Sequence, residues 1–205
     1  MRKAPLLLIM FVLAFLTVSE HAGAQIRKPQ LGIFAGGTLP RGAFTEETDL
    51  GWNAGGLLKV RVTRTLDLRV DGMFTQLGSK NIDFGNAEVE SKSDVAFASL
   101  LAELNLGPDS AQYPGDNSVS PYINGGPALY RYKFEGTCTG ACDGFFTEGE
   151  ETKVGVNLGF GANVPLGRIP AFAELRYHRF GTLFPITQQE ATATMITVSV
   201  GVKIR

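Results

Sequence analysis

The stretch ITVSVGVKI, residues 196–204, decides the fold class, because apolar and polar side chains alternate along it without a break. One face carries only branched aliphatic side chains: Ile196, Val198, Val200, Val202 and Ile204. The other face carries Thr197, Ser199, Gly201 and Lys203. A period of two residues is typical of a β-strand, since helical spacing would scatter both sets around the axis. The stretch therefore predicts a strand with one apolar face.

The same alternation recurs along most of the chain. Residues 154–164 repeat it, with aliphatic or aromatic side chains on one face and Gly or Asn on the other. Further strands are predicted over residues 30–38, 51–62, 65–76, 93–106, 120–134 and 171–180. The run Gly125-Gly126-Pro127 predicts a bulge where the alternation changes phase. The pattern predicts an all-β, antiparallel, up-and-down transmembrane β-barrel of about eight strands.

The connections between these strands alternate in length. Residues 63–65 and 166–170 are tight turns, whereas long polar connections are predicted over residues 39–50, 78–92, 135–150 and 181–191. Residues 107–119 are the exception, since they are long where a short turn is expected. Short turns at one end and long loops at the other are typical of outer-membrane barrels.

The first residues predict an export signal. Arg2 and Lys3 precede an apolar run over residues 6–18, and Ala22-Gly23-Ala24 has the small residues of a cleavage site. The apolar run is too short for a membrane-spanning helix, which needs roughly 20 apolar residues. We therefore expect a signal peptide over residues 1–24, cleaved after Ala24, and one barrel domain over residues 25–205.

The orientation of the two strand faces is the next question. The polar face is rich in small polar residues, and its charges come in both signs. Buried charges must be paired, so these side chains predict an ion-pair network inside the barrel: Lys59, Arg61, Asp67, Arg69, Asp71, Glu103, Glu174 and Arg176. In a barrel of eight strands such a network fills the interior, although a charged constriction in a narrow porin-like channel is an alternative. A second alternative is a soluble lipocalin-like periplasmic carrier, with Leu158, Phe160 and Val198 turned inward.

Aromatic residues near the predicted loop ends indicate where the membrane surface lies. Such residues form girdles at the lipid–water interface of transmembrane barrels. The predicted girdle consists of Trp52, Phe74, Tyr130, Tyr132, Tyr177 and Phe180.

The two cysteines, Cys138 and Cys142, lie close together in a predicted loop. Export into an oxidising compartment favours a loop disulfide between them over two free thiols. A metal site is disfavoured, because the C-x-x-x-C spacing lacks further ligands.

The mature chain offers little for catalysis. His178 is its one histidine, and Ser93 and Ser99 lie far from it in sequence with no motif that joins them. We predict no catalytic residues, no metal site and no cofactor. The net charge of -1 gives no basic excess for nucleic acid.

Several segments resemble small OmpA/OmpX-like outer-membrane β-barrels. The resemblance rests on Ser120-Pro121-Tyr122-Ile123 opening a Gly-rich strand, on the FAELRYH segment of residues 172–178, and on a strand that ends the chain. Such barrels usually end in an aromatic residue, whereas this chain ends Lys203-Ile204-Arg205. The resemblance implies a location in the bacterial outer membrane, with the assembly machinery, outer-membrane lipid and lipopolysaccharide as partners.

The charged residues of the connections suggest how such a barrel would act. The predicted long loops contain Glu46, Glu47, Asp49, Glu88, Glu90, Glu148, Glu150 and Glu151, and the opposite end carries Arg27, Lys28, Arg64 and Arg168. The resemblance implies a non-enzymatic role, structural or in surface interaction through these acidic loops. It names no surface ligand.

Overall fold

Eight antiparallel β-strands form a closed barrel in which each strand pairs with the next along the chain. The structure is a computed structural model that describes residues 29–42, 48–83, 87–107, 118–140, 146–167, 169–181 and 193–204. The strands are β1 (Gln30–Gly42), β2 (Thr48–Arg61), β3 (Leu66–Asp83), β4 (Ala87–Asn105), β5 (Ser120–Gly140), β6 (Phe146–Leu166), β7 (Ile169–Gly181) and β8 (Ala193–Ile204). Pairing of β1 with β8 closes the barrel. The predicted fold class is confirmed, and the predicted signal peptide lies outside the described residues.

The strand faces have the polarity of a membrane protein. Leu158 is 65% exposed and Val200 is 62% exposed, so the apolar face points outward. The polar face, including Thr197 and Lys203, points into the barrel and is buried. An apolar exterior around a polar interior suits a lipid surrounding, and the alternative of a lipocalin-like carrier with an apolar interior is wrong. None of the described residues belongs to a helix long and apolar enough to span a membrane.

The strands differ in length around the barrel. The four strands β3–β6 contain 18 to 21 residues, whereas the other four contain 12 to 14. We call the barrel end with the tight turns the turn end and the opposite end the loop end. At the loop end β3 outlasts its pairing with β2 at Ser79, and β6 outlasts its pairing with β7 at Val154. The surplus is the strand extension, formed by residues 80–83, 87–92, 131–140 and 146–153.

The strand extension corrects two of the predicted loops. Residues 78–92 and 135–150 were expected as long polar loops, but only residues 84–86 and 141–145 within them lie outside the described strands. Ladder hydrogen bonds require backbone groups and not apolar side chains, so a polar sequence can continue a strand beyond the membrane. The pairing between β4 and β5 accordingly continues to Ala87 and Gly140.

The predicted bulge at residues 125–127 is wrong. Ser99 pairs with Ala128 and Ala102 pairs with Gly125, so the register of β4 against β5 is the same on both sides. Residues 125–127 change the hydrogen bonding and not the register, because Pro127 has no N–H to donate to the ladder. Observed register shifts lie elsewhere, between Asp49 and Trp52 in β2 and between residues 76 and 80 in β3.

Half of the predicted aromatic girdle faces the lumen. Trp52, Phe74 and Tyr177 are exposed on the outer face, and Trp52 Nε1 donates a 3.1 Å hydrogen bond to Gln76 Oε1. In contrast, Tyr130 and Phe180 are only 0% and 2% exposed, and Tyr132 packs against the same buried cluster. The physical reason is parity, since even-numbered residues of β5 and β7 point inward whatever their distance from the loops.

We predict that Gly126→Ala destabilises the folded barrel whereas Gly72→Ala does not. A Cβ at Gly126 would collide with the backbone carbonyl of Leu100, while a Cβ at Gly72 meets no atom within 4 Å. Overpacking against backbone typically costs about 1–3 kcal/mol or more. Urea unfolding in lipid vesicles measures the difference, and equal stabilities of the two variants would contradict the close approach of β4 and β5.

Candidate functional site in the barrel lumen

A buried arginine on β3 forms the centre of the lumen. Arg69 Nε donates to Asp71 Oδ1 at 2.6 Å, and its Nη1 donates to Glu174 Oε2 at 2.7 Å and to Glu103 Oε2 at 3.3 Å. These carboxylates come from β3, β4 and β7, so one guanidinium ties together strands from opposite sides of the barrel. The planar fork of donors makes Arg suited to such a position.

The network continues from Glu103 toward the turn end. Lys59 Nζ lies 2.8 Å from Glu103 Oε1 and 2.8 Å from Asp67 Oδ2. Asp67 also accepts hydrogen bonds from Arg61 Nε at 2.9 Å and from Asn105 Nδ2 at 3.0 Å. Each carboxylate in this part of the lumen is therefore shared between cationic or amide donors.

Arg176 completes the network toward the loop end. Its Nη2 contacts Glu174 Oε1 and lies 2.7 Å from Asp71 Oδ2. The structure thus brings all eight residues expected in the lumen into one connected set of ion pairs. We call this set the ion-pair network. Its four cations match its four carboxylates, so the network as a whole is neutral. Neutrality matters because an unpaired buried charge costs several kcal/mol.

Three further residues belong to the site and were not among the expected ones. Tyr122 Oη and Asn124 Nδ2 donate to Glu174 Oε2 at 2.9 and 2.7 Å. Lys203 Nζ contacts Asn163 Oδ1 and lies 5.6 Å from the Tyr122 ring centroid. The alternation along β5 could have identified Tyr122 and Asn124 as lumen residues, since both lie on the inward face of that strand.

An apolar layer follows the ion-pair network toward the loop end. It consists of Phe97, Tyr130, His178, Phe180 and Met195, and we call it the aromatic layer. The rings of Tyr130 and Phe180 stack with centroids 4.4 Å apart, and Phe97 lies 4.8 Å from His178. Both nitrogens of His178 lie 3.1 Å from hydroxyl oxygens, those of Tyr130 and Thr197.

The arrangement around His178 gives no support for catalysis. Its described hydrogen-bond partners are two hydroxyl groups and no carboxylate. Ser93 Oγ lies 3.0 Å from Tyr132 Oη and so contacts a different side chain. Within the described ranges, His, Cys, Asp and Glu form no group of three that could hold a metal ion.

Charged residues also line the outer face of the strand extension. Arg131 forms a bidentate ion pair with Glu150 at 2.7 and 2.8 Å, and Lys133 contacts Glu148 at 3.3 Å. The hydrogen bond from Arg131 holds the pKa of Glu150 below its usual value. These acidic residues lie in strands and not in loops, as do Asp49, Glu88, Glu90 and Glu151.

Some of the remaining predicted residues lie in the described part of the chain, and others lie outside it. Arg64 is exposed in the tight turn between β2 and β3. Cys138 is disulfide-bonded, and Cys142, its predicted partner, lies outside the described residues. Also outside are Arg27, Lys28, Glu46, Glu47 and Arg168.

We predict strong energetic coupling between Arg69 and Glu174. Glu174→Leu should lower the free energy of unfolding by about 3–5 kcal/mol, because it leaves Arg69 and Arg176 short of one carboxylate. Adding Arg69→Leu restores neutrality, so the double variant should be more stable than the sum of the single effects implies. Urea unfolding in vesicles measures the cycle, with the exposed pair Arg131 and Glu150 as the control, whose coupling should stay below about 1 kcal/mol. Additive effects at Arg69 and Glu174 would contradict the network.

Comparisons with known proteins agree with this geometry. The sequence profile of the "Outer membrane protein beta-barrel domain" family matches residues 8–203. No curated protein matches the chain significantly. The structure is similar to that of Neisserial surface protein A (NspA), with 14% identity, a TM-score of 0.58, and coverage of 87% of this chain and 97% of that one.

Two further solved structures are similar at lower scores. The N-terminal β-barrel domain of Pseudomonas aeruginosa OprF has 17% identity and a TM-score of 0.49, with coverage of 88% of this chain and 100% of that one. Ail, the attachment invasion locus protein of Yersinia pestis, has 12% identity and a TM-score of 0.49, with coverage of 87% and 100%. On the profile match and the closed eight-stranded barrel, the chain belongs to the outer membrane protein β-barrel family and is a protein of the bacterial outer membrane.

Proposed function

We propose that the protein is a closed, non-enzymatic outer-membrane scaffold that presents its strand extension at the cell surface. The observation that supports this most directly is the filled lumen. Eight strands enclose a space just wide enough for side chains, and here buried side chains of the ion-pair network occupy it. A filled barrel holds the protein in the membrane and supports the strand extension, but it leaves no open path for solutes.

The strand extension supports the display part of the proposal. In outer-membrane barrels the long connections face the outside of the cell and the tight turns face the periplasm. The loop end would then carry β3–β6 above the membrane as a four-stranded wall. Its acidic residues, in strands and not in free loops, form a more rigid surface than loops of the same composition.

The outer face of that wall suits contact with lipopolysaccharide. The apolar outer surface ends at Leu129 and Val154, and Arg131 and Lys133 are the next outward residues along β5. They would lie at the depth of the phosphorylated headgroups, where cationic side chains are favoured. Ion pairing with Glu135, Glu148 and Glu150 keeps both cations in place in the absence of phosphate.

We predict that the purified protein forms no steady open channels in a planar lipid bilayer. Closure by the ion-pair network is the reason, since its charged side chains fill the lumen and are held by mutual ion pairs. A porin reconstituted in the same way is the positive control. Large, long-lived open currents from folded, heat-modifiable protein would reject the closed scaffold in favour of the narrow channel.

We predict that Arg131→Ala with Lys133→Ala weakens binding to lipopolysaccharide vesicles by about 25-fold, since each cation near an anionic surface contributes about fivefold. Binding of phosphate-free lipid vesicles should not change. Arg64→Ala, at the turn end, is the matched control with an exposed cation removed. Equal affinity of the double variant and the unmodified protein would contradict the lipopolysaccharide contact, without bearing on closure of the lumen.

A further inference from the structure

The order of inward side chains along single strands shows that the lumen has distinct zones. On β7 the network residues Glu174 and Arg176 are followed toward the loop end by His178 and Phe180. On β4 the order toward the loop end is Glu103, Leu101, Ser99 and then Phe97. The aromatic layer therefore lies beyond the ion-pair network and not within it.

The spacing between these two zones differs from strand to strand. On β7 the zones adjoin, since Arg176 and His178 are successive inward residues. On β5 only the small Gly126 and Ala128 separate Asn124, which donates to Glu174 of the network, from Tyr130 of the aromatic layer. On β4 the buried Leu101 and the small Ser99 lie at this boundary, and Ser99 pairs directly with Asp71 of the network and with Ala128.

Buried polar atoms at this level lack partners in the described part of the chain. Ser99 Oγ and Arg176 Nε are both buried and form no hydrogen bond with another described residue. Buried polar groups in proteins are almost always hydrogen-bonded, and where protein partners are missing, internal water supplies them. The boundary between network and aromatic layer, at Ser99 and Arg176, is thus suited to hold internal water.

The aromatic layer itself is densely packed. Tyr130 and Met195 are completely buried, and the rings of Tyr130 and Phe180 are nearly parallel, at 14°. An apolar constriction blocks ions by a different mechanism from an ion-pair network, because an ion must lose its hydration water to enter it. The two zones therefore resist passage independently.

We propose that the lumen is closed by two adjoining barriers in series, the ion-pair network and the aromatic layer, with internal water at their boundary beside Ser99. This inference rests on the proposed closed scaffold and adds that neither barrier alone is required for closure. It predicts that opening one zone leaves the barrel closed and that opening both makes it conduct.

Conductance of four proteins in planar bilayers tests the proposal. The layer variant is Tyr130→Ala with Phe180→Ala, and the network variant is Arg69→Ala with Glu174→Ala. The network variant removes one cation and one carboxylate, so the remaining network stays neutral. The unmodified protein and the variant that combines all four substitutions complete the set. Leu129→Ala with Tyr177→Ala is the matched control, since both residues lie on the outer face.

We expect both two-residue variants to remain as silent as the unmodified protein, and the combined variant to show open-channel current at least about tenfold above that baseline. Steady currents from the layer variant or the network variant alone would overturn the proposal, since one barrier would then account for closure. Silence of the combined variant would overturn it as well. Currents from the unmodified protein would instead reject the closed scaffold on which the proposal rests.

Folding of each variant is checked by its heat-modifiable mobility on a denaturing gel. If the combined variant fails to fold, Phe180→Ala with Met195→Ala replaces the layer substitutions and leaves the Tyr130–His178 hydrogen bond intact. Water-to-protein magnetisation transfer at the Ser99 amide gives a second readout. Transfer should be observable in the unmodified protein, and its absence would contradict internal water at the boundary between the barriers.

Discussion

The pairing of buried charges is the constraint on which the rest of this structure depends. A barrel surrounded by lipid must turn its polar side chains inward, where little water is present to solvate them. Arg69 satisfies this constraint by binding carboxylates on three strands, and Lys59 and Arg176 extend the pairing toward the two ends. The register of several strand pairs is thereby tied to the same side chains, because a slip of one residue would move a charge into the lipid.

Much of the fold could be predicted from the sequence, because the alternation of polar and apolar side chains identifies both the strands and the face of each strand that points inward. The strict alternation of residues 196–204 indicated a strand, and charges of both signs on the polar faces indicated the interior. Which residues would pair could not be predicted, since Arg69 and Glu174 are 105 positions apart and meet only through the shear of the closed barrel. Tyr122 and Asn124 could likewise be assigned to the inward face of β5, but the sequence did not indicate that they would donate hydrogen bonds to Glu174.

Two wrong predictions, the aromatic girdle and the long loops, have separate physical origins. Tyr130, Tyr132 and Phe180 were placed at the membrane surface from their distance to the loops, whereas the parity of the strand decides the face. Phe180 shares that parity with Glu174 and Arg176, so the interior position followed from the pattern itself. The loops were predicted too long because polar residues after an apolar strand look the same whether or not the hydrogen-bond ladder continues.

Because the strands differ in length, the two sides of the barrel differ in height at the loop end. Four strands rise at the loop end, while β1, β2, β7 and β8 stop lower, so the rim of the barrel is oblique when viewed along the membrane. A neighbouring membrane protein that approaches the short strands would meet mostly the apolar wall, with Arg41 and Arg179 at its rim. One that approaches the long strands would also meet the charged strand extension. The surface that a neighbouring protein meets in a crowded membrane thus depends on the side of the barrel that it approaches.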